Sequence, residues 1–288
     1  MRLNPSSSTR TGLGLGAGVL FLSWAAILIR LTGGPAVTVA AWRMALSAAV
    51  LIPIVGMSRQ PLSRSGLRLA LVAGGFLALH FVFWIESLRH TTVASSVALV
   101  TTNPIFVGLL SAAVLGERPS RALWQGIGLS VAGGFLIGWG DFALGGAALL
   151  GDGLALLGAV AASAYLLLGR LARGENLVPY VAMAYGTAAV FLLVGATVAG
   201  RGAPLPPSGD WLWLGLMAAG PQLVGHTSVN WALRRLPASA VAVAILGEPV
   251  GASLWAYLVF GERLGIAQGL GIVLVLLGIV RALRGVRL

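Results

Sequence analysis

Two pairs of residues have the spacing of one helix face. His80 and Trp84 are four residues apart in an apolar stretch, and His226 and Asn230 repeat this spacing further along the chain. Residues four apart share a side of a helix, and polar groups in such helices usually face a cavity or a partner. The pairs therefore predict two patches that hold a small ligand, with Trp84 stacking on an apolar group or an ammonium. The alternative is a set of interhelical hydrogen bonds that only holds the helices together.

Two polar residues each stand directly before a proline. Asn103 precedes Pro104, and Glu248 precedes Pro249. A proline inside a helix removes a backbone donor and kinks the helix, so both places are candidate hinges. Asn103 would donate to a substrate carboxylate, and Glu248 would meet a substrate amine or carry a proton. Equally, both side chains would satisfy the groups freed at the broken helix.

Arg43 and Glu86 are charged residues within or near the end of apolar stretches. The planar guanidinium of Arg43 suits bidentate binding of a substrate carboxylate, or it neutralises Glu86 or a backbone carbonyl as fixed scaffolding. Glu86 is a candidate for proton coupling.

Trp24 and Tyr165 are aromatic residues in stretches that align with each other, since Ser23-Trp24 corresponds roughly to Ser163-Ala164-Tyr165. We expect both rings to line the ligand cavity. Packing in the core or against lipid is the alternative.

The sequence contains no constellation typical of an enzyme. It has no Gly-x-Ser-x-Gly element, no Walker-type nucleotide loop and no carboxylate pair at a workable spacing. There are no cysteines, and two histidines without clustered carboxylates are a poor metal ligand set. We expect neither a catalytic residue nor a metal or other cofactor.

The composition indicates an integral membrane protein. The chain is 58% hydrophobic and 9% charged, with a mean hydropathy of +0.93, whereas soluble domains carry about 25% charged residues. The apolar residues form ten spans, each long enough to cross a hydrocarbon core of about 30 Å. We number them 1 to 10: 13–31, 36–56, 66–88, 92–115, 121–139, 148–170, 179–199, 209–234, 238–260 and 264–283.

The arginines are distributed unevenly between the two ends of these spans. The net charge is +11, and every basic residue other than histidine is an arginine. Fourteen arginines fall in the termini and the loops after spans 2, 4, 6 and 8, and four fall in the opposite loops. Because basic loops stay in the cytoplasm, both termini are predicted to be cytoplasmic, and no nucleic-acid partner is expected.

One stretch occurs twice and divides the chain into repeats. Residues 103–118 and 248–263 start 145 residues apart, match at six of sixteen positions and both end in Gly-Glu-Arg. We therefore predict a short tail (1–12), a first five-helix repeat (13–139) and a second (148–283). Five is an odd number, so the second repeat enters the membrane inverted. Inverted repeats with a site between them are typical of secondary transporters.

These features resemble a known family. Ten helices in a 5+5 repeat, a proline within helices 4 and 9 and a terminal Gly-Glu-Arg in each half are similar to the EamA branch of the drug/metabolite transporter superfamily. Within it, the chain looks most similar to the YddG-type amino-acid exporters. The resemblance implies a central cavity lined by helices 1–4 and 6–9, and export by alternating access.

The sequence as a whole predicts an all-α, multi-pass cell-membrane transporter. We expect it to export small amphiphilic metabolites, foremost neutral or aromatic amino acids, because the polar residues of the spans combine aromatic and amide groups with one deep arginine. A nucleotide-sugar or drug carrier of the same superfamily is the alternative, and a passive channel is the alternative of another class. We expect a monomer in lipid, with a homodimer through the small residues of helix 5 as the alternative.

Overall fold

A computed structural model describes residues 5–91, 93–137, 146–198, 205–261 and 265–284, and these residues form helices and no strand. The α-helices are α1 (Pro5–Leu22), α2 (Ala25–Arg30), α3 (Ala36–Ser58), α4 (Arg64–Ser87), α5 (Val93–Val100), α6 (Asn103–Leu110), α7 (Arg121–Ile137), α8 (Ala147–Leu171), α9 (Leu177–Val198), α10 (Trp211–Met217), α11 (Thr227–Leu233), α12 (Ala238–Ile245), α13 (Glu248–Phe260) and α14 (Ile266–Arg284). Two π-helical segments, Ser111–Leu115 and Ala218–His226, continue α6 and α10.

Several helical stretches are long and apolar enough to cross a membrane. Six such stretches occur among the described residues, and each has 21 to 27 residues. Two shorter apolar helices, Asn103–Leu115 and Ile266–Ala282, add to them. The prediction of an all-α, multi-pass membrane protein is therefore confirmed.

The two proline-containing spans are divided rather than merely kinked. A break separates α5 from α6, and another separates α12 from α13. Pro104 and Pro249 then stand in the first turn of the second piece, where the missing N–H would have had no intrahelical partner. The backbone groups freed at both breaks must be satisfied by neighbouring helices.

Two other predicted spans also depart from a continuous α-helix. Span 1 breaks at Ser23 and Trp24, between α1 and α2. Span 8 contains Pro221 within its π-helical segment. The wider turns of a π-helix accommodate proline, which cannot donate a backbone hydrogen bond. The sequence analysis predicted neither departure.

The glycine of each Gly-Glu-Arg triplet ends a helix. Gly116 and Gly261 have φ angles of 67° and 69°, a left-handed conformation that glycine adopts without a steric cost. Glu117, which follows the first of them, forms an ion pair of 2.7 Å with Arg170 at the end of α8. Glu262 and Arg263 of the second triplet lie outside the described residues.

Small residues bring α7 and α14 together. A Cβ atom added to Gly126 would lie 2.6 Å from the carbonyl oxygen of Gly278, and the hydroxyl of Ser130 donates a 3.2 Å hydrogen bond to the carbonyl of Val275. Close approach of this kind is how helices pack in lipid. Gly126 and Ser130 of span 5 are therefore used for packing within the chain.

We predict that Gly126→Ala destabilises the protein. The added methyl group meets backbone atoms of α14, and overpacking of this kind typically costs about 1–3 kcal/mol. Gly128→Ala is the matched control, because nothing lies within 4 Å of a Cβ atom at that position on the same helix. The melting temperature in detergent should fall for Gly126→Ala and stay level or rise for Gly128→Ala. Equal melting temperatures for the two variants would contradict the packing described here.

Candidate functional site

A small cavity lies among the helices, and most of the predicted site residues line it. Its volume is about 50 Å³, well below the 300–1,000 Å³ of typical ligand pockets. Apolar side chains such as Leu22 and Val229 complete its wall. The predicted residues that line it are His80, Trp84, Asn103, Tyr165, His226 and Glu248.

Aromatic rings from different helices meet around this cavity. His80 stacks on Trp84 with 5.8 Å between the ring centroids, as the four-residue spacing predicts. Phe81 contacts the ring of His226 edge-on at 5.4 Å, and Tyr165 contacts the same ring at 6.2 Å. The histidines of α4 and of the second π-helical segment therefore share one aromatic cluster, which offers a flat apolar surface to a ligand.

The orientation of His80 is set by a hydrogen bond to the backbone. Its Nδ1 lies 3.0 Å from the carbonyl oxygen of Gly158 on α8. Since a carbonyl only accepts, Nδ1 carries the proton, and Nε2 of a neutral ring is left as an acceptor.

Asn230 holds one cavity residue in place without lining the cavity itself. Its Nδ2 donates to the hydroxyl of Tyr165 at 2.5 Å and to the backbone carbonyl of His226 at 2.9 Å. The predicted pair of His226 and Asn230 is thus joined by a hydrogen bond. Asn230 acts on the cavity indirectly, because it holds the hydroxyl of Tyr165, which lines the cavity.

Trp24 lies beside the cavity rather than in its wall. Its ring stacks on Trp255 of α13 with centroids 4.4 Å apart, and Trp255 donates from Nε1 to the hydroxyl of Ser23 at 2.9 Å. The neighbouring residues Leu22 and Ala25 line the cavity instead. The break between α1 and α2 changes which residues face inward, and the sequence analysis did not include this break.

The two residues before the prolines reach the cavity together. Asn103 begins α6 and Glu248 begins α13, and both are at least nine-tenths buried. The backbone carbonyl of Asn103 accepts a 3.2 Å hydrogen bond from Ser163, so α8 contacts the start of α6. The side-chain oxygen of Asn103 is buried and has no hydrogen-bond partner.

Arg43 is completely buried on α3 and lies next to the aromatic cluster. Its Nε donates to Oε1 of Gln222 at 3.0 Å, and its guanidinium carbon lies 4.3 Å from the centroid of the Phe81 ring. Arg43 is not among the residues that line the cavity.

Glu86 is not the partner of Arg43. The carboxylate of Glu86 lies 3.8 Å from Arg89 and 3.4 Å from His90, and its side chain is 37% exposed. Arg43 has no exposed surface. The alternative that Arg43 neutralises Glu86 is therefore wrong, because Glu86 is at the end of α4 and pairs with residues that directly follow this helix.

The sequence analysis missed Gln222 and Phe81. Both contact Arg43, and Gln222 is fully buried. Gln222 is four residues before His226, and this spacing, which the sequence analysis used for the other pairs, is the signal that could have found it. No three His, Cys, Asp or Glu side chains come together in a metal-binding group within the described ranges.

One set of hydrogen bonds ties together loops at the end of the bundle where α3 begins. The carboxylate of Asp210 accepts from the backbone N–H of Gly33 at 3.1 Å and of Gly34 at 2.9 Å. Arg89, just after α4, donates to the carbonyl of Gly34. We call this group, Gly33, Gly34, Arg89 and Asp210, the Asp210 latch.

A second set lies at the other end of α3, which is 23 residues or about 35 Å long. Glu175 accepts hydrogen bonds from the backbone N–H of Ser63 at 3.1 Å and from its hydroxyl. Arg234 donates to the carbonyls of Ala172 at 3.0 Å and Glu175 at 2.7 Å. We call this group, Ser63, Ala172, Glu175 and Arg234, the Glu175 latch.

The carboxylate of this second latch is ionised at neutral pH. The hydroxyl and backbone N–H of Ser63 donate to it, and these hydrogen bonds lower the pKa of Glu175 below its ordinary value. Protonation would remove acceptor capacity, so we expect the contact to be present at neutral pH and to weaken only in acid.

The two latches have corresponding parts. Arg89 and Arg234 are 145 residues apart, the same separation as the two Gly-Glu-Arg triplets, and each donates to a loop carbonyl in its own latch. The sequence analysis used these arginines only to infer orientation. Aligning them by the repeat spacing is the signal that would have paired them.

Comparison with known proteins places the chain among transporters. A curated relative, the uncharacterized transporter sll1319 of Synechocystis sp., is 25% identical over 230 residues, which are 77% of this chain and 68% of the relative. The pseudopaline exporter CntI of Pseudomonas aeruginosa is 31% identical over 103 residues, 36% of each protein.

A solved structure supports the fold. A crystal structure of a protein 23% identical in sequence matches with a TM-score of 0.77 over 99% of this chain and all of that one. A model of the EamA-like transporter family matches residues 12–139 and, a second time, residues 149–284. Since these two matches cover nearly the whole sequence, the chain belongs to the EamA-like transporter family.

Proposed function

We propose that this protein is a secondary transporter that exports small amphiphilic metabolites through the central cavity. The observation that carries the proposal is the cavity wall, to which both halves of the chain contribute residues in matching positions. Asn103 and Glu248 precede the two repeat prolines, and His80 and His226 come from corresponding spans. A site between two similar halves is what alternating access requires.

The architecture we propose is ten spans in two inverted five-helix repeats, with repeats at 13–139 and 148–283 and both termini in the cytoplasm of a cell-membrane protein. The family model's two separate matches support the division. Helix pairing supports the symmetry, because α7 packs on α14 and α3 packs on α9, and each pair joins corresponding spans of the two repeats. The excess of arginines on one side supports the orientation.

Neutral or aromatic amino acids are the substrate class that we propose. The cavity wall combines Trp84, Tyr165 and two histidine rings with Asn103 and Glu248, so it offers both a stacking surface and polar groups. One relative is named as an exporter of pseudopaline, which favours outward movement of a small metabolite. The narrower likeness to YddG-type exporters stays a prediction. The two relatives are named as a pseudopaline exporter and an uncharacterized transporter, and neither name refers to amino-acid export.

The proposed mechanism is rocking of the two halves about the broken helices. The cavity is only about 50 Å³ and both latches are formed, which supports a narrowed state of the transport cycle. Opening to the outer face would release the Asp210 latch, and opening to the cytoplasm would release the Glu175 latch. Pro104 and Pro249 would serve as hinges, because each helix is already interrupted just before them.

Glu248 is our candidate for charge or proton coupling. It lines the cavity, where a carboxyl can meet both substrate and water. Glu86 is the second candidate, although it is paired with Arg89 and His90 away from the cavity.

Flux measurements in liposomes test the proposed function. Purified protein should give saturable flux of a radiolabelled aromatic amino acid that unlabelled neutral amino acids compete. A pH gradient applied in a second arm reports proton coupling. Competition only by phosphorylated compounds would favour a nucleotide-sugar carrier, and flux that does not saturate would favour a channel. Either result would overturn the proposal.

We predict that His80→Ala and His226→Ala each reduce transport by about tenfold or more, the loss expected when a ligand contact worth about 1.4 kcal/mol is removed. The third histidine is a matched control, since His90 pairs with Glu86 and does not line the cavity. His90→Ala should retain the flux of the unmodified protein. If all three folded variants transport equally well, the cavity is not the ligand site.

A further inference from the structure

The guanidinium of Arg43 has protein contacts at Nε and on its face, whereas its two terminal nitrogens have no hydrogen-bond partner in the described part of the chain. Nε donates to Gln222, and the face of the group lies on the ring of Phe81. Both terminal nitrogens, Nη1 and Nη2, are buried and have no hydrogen-bond partner among the described residues. These two nitrogens form the planar fork that binds a carboxylate through two parallel hydrogen bonds.

No acidic residue of the described ranges compensates this fork directly. The ion pairs found there join Glu86 and Glu117 to other basic residues, and none of them includes Arg43. Glu248 is near enough to interact electrostatically with Arg43 but forms no ion pair with it. A buried charge without a partner is costly, and ionisable groups within a membrane are usually functional. The arrangement is one that an anionic group would complete.

One side chain, Phe81, lies between the guanidinium fork of Arg43 and the cavity wall. The ring of Phe81 contacts both the guanidinium of Arg43 and the ring of His226, which lines the cavity. Two further buried donors near these rings also lack partners, namely Nε2 of Gln222 and Nε1 of Trp84. The donor groups therefore come from α3, α4 and the second π-helical segment.

Acceptor groups come from other helices. The side-chain oxygen of Asn103 is buried and unpaired, and the carboxyl group of Glu248 lines the same cavity. Both stand at the start of the second pieces of the broken helices. Buried donors without partners therefore lie at Arg43, Gln222 and Trp84, and acceptors lie at Asn103 and Glu248 as well as at Asn230, whose side-chain oxygen is also unpaired. A zwitterion would complement both kinds of group.

We propose that Arg43 is the carboxylate-binding residue of the transport site, and that the substrate is an α-amino acid or another zwitterion with its ammonium group near Asn103 and Glu248. Gln222 and Phe81 position the guanidinium so that Nη1 and Nη2 point away from their own contacts. Substrate would reach the fork when the cavity widens and the Phe81 ring moves aside. This proposal rests on the proposed transport function and specifies its substrate chemistry.

A purely structural role for Arg43 makes a different prediction. If the guanidinium only links α3 to Gln222 and Phe81, its replacement alters stability and transport of every substrate alike. If it binds a carboxylate, its replacement alters the preference between substrates with and without that group. The ratio of two substrates therefore separates the two roles, even when a variant is less stable.

The test compares an aromatic amino acid with its primary amide and with its decarboxylated amine. In liposomes with the unmodified protein, the amide and the amine should compete labelled amino-acid flux at least about tenfold more weakly than the amino acid, as expected when a charge-assisted pair is lost. Arg43→Gln should bring this ratio towards one, and Arg43→Lys should retain part of it. Arg68→Gln, which removes an exposed arginine of α4, should leave the ratio unchanged.

Thermal stabilisation of the purified protein separates failure of this proposal from failure of the transport function. The amino acid should raise the melting temperature of the unmodified protein, and its amide should not, whether or not flux is detected. Absence of flux with this selective stabilisation would overturn transport and support the carboxylate site. Equal effects of acid and amide, no stabilisation by the acid, or an unchanged ratio in folded Arg43→Gln would overturn the carboxylate site.

Discussion

Polar groups buried among membrane-spanning helices must find their partners inside the protein, and the rest of this structure depends on that constraint. Here many of the partners come from the other half of the chain. Ser163 donates to the backbone of Asn103, and Trp255 donates to Ser23. Arg43 donates to Gln222. The broken helices and the buried charge of one repeat are thus stabilised by the other, so neither half is complete alone.

The same constraint explains why the site lies where helices are interrupted. A continuous helix satisfies its own backbone, whereas the breaks before Pro104 and Pro249 free carbonyl and amide groups. Asn103 and Glu248 start new helices at those breaks and extend into the cavity. In the proposed mechanism, binding groups and hinges therefore coincide in the sequence, so that a ligand in contact with them would influence how the halves move.

Much of the fold and part of the site could be predicted from the sequence. Apolar length and the repeated Pro and Gly-Glu-Arg elements indicate the membrane spans and the family, because lipid imposes simple rules on length and composition. The four-residue spacing correctly joined His80 to Trp84. Spacing gives only the face within one helix, however, so it did not reveal that Trp24 stacks on Trp255 or that Arg43 contacts Gln222. Those contacts depend on helix breaks and on packing between distant spans.

We propose that the two latches close opposite faces of one site, and cysteine labelling tests this most directly. The chain has no cysteine, so Ala162→Cys places a single thiol in the cavity wall. Asp210→Asn and Glu175→Gln each leave one strong acceptor where a carboxylate has two. With a membrane-impermeant reagent, Asp210→Asn should increase labelling from the outer face, and Glu175→Gln should increase it from the cytoplasmic face. If both variants increase labelling from the same face, or neither changes it, the two latches do not gate alternating access.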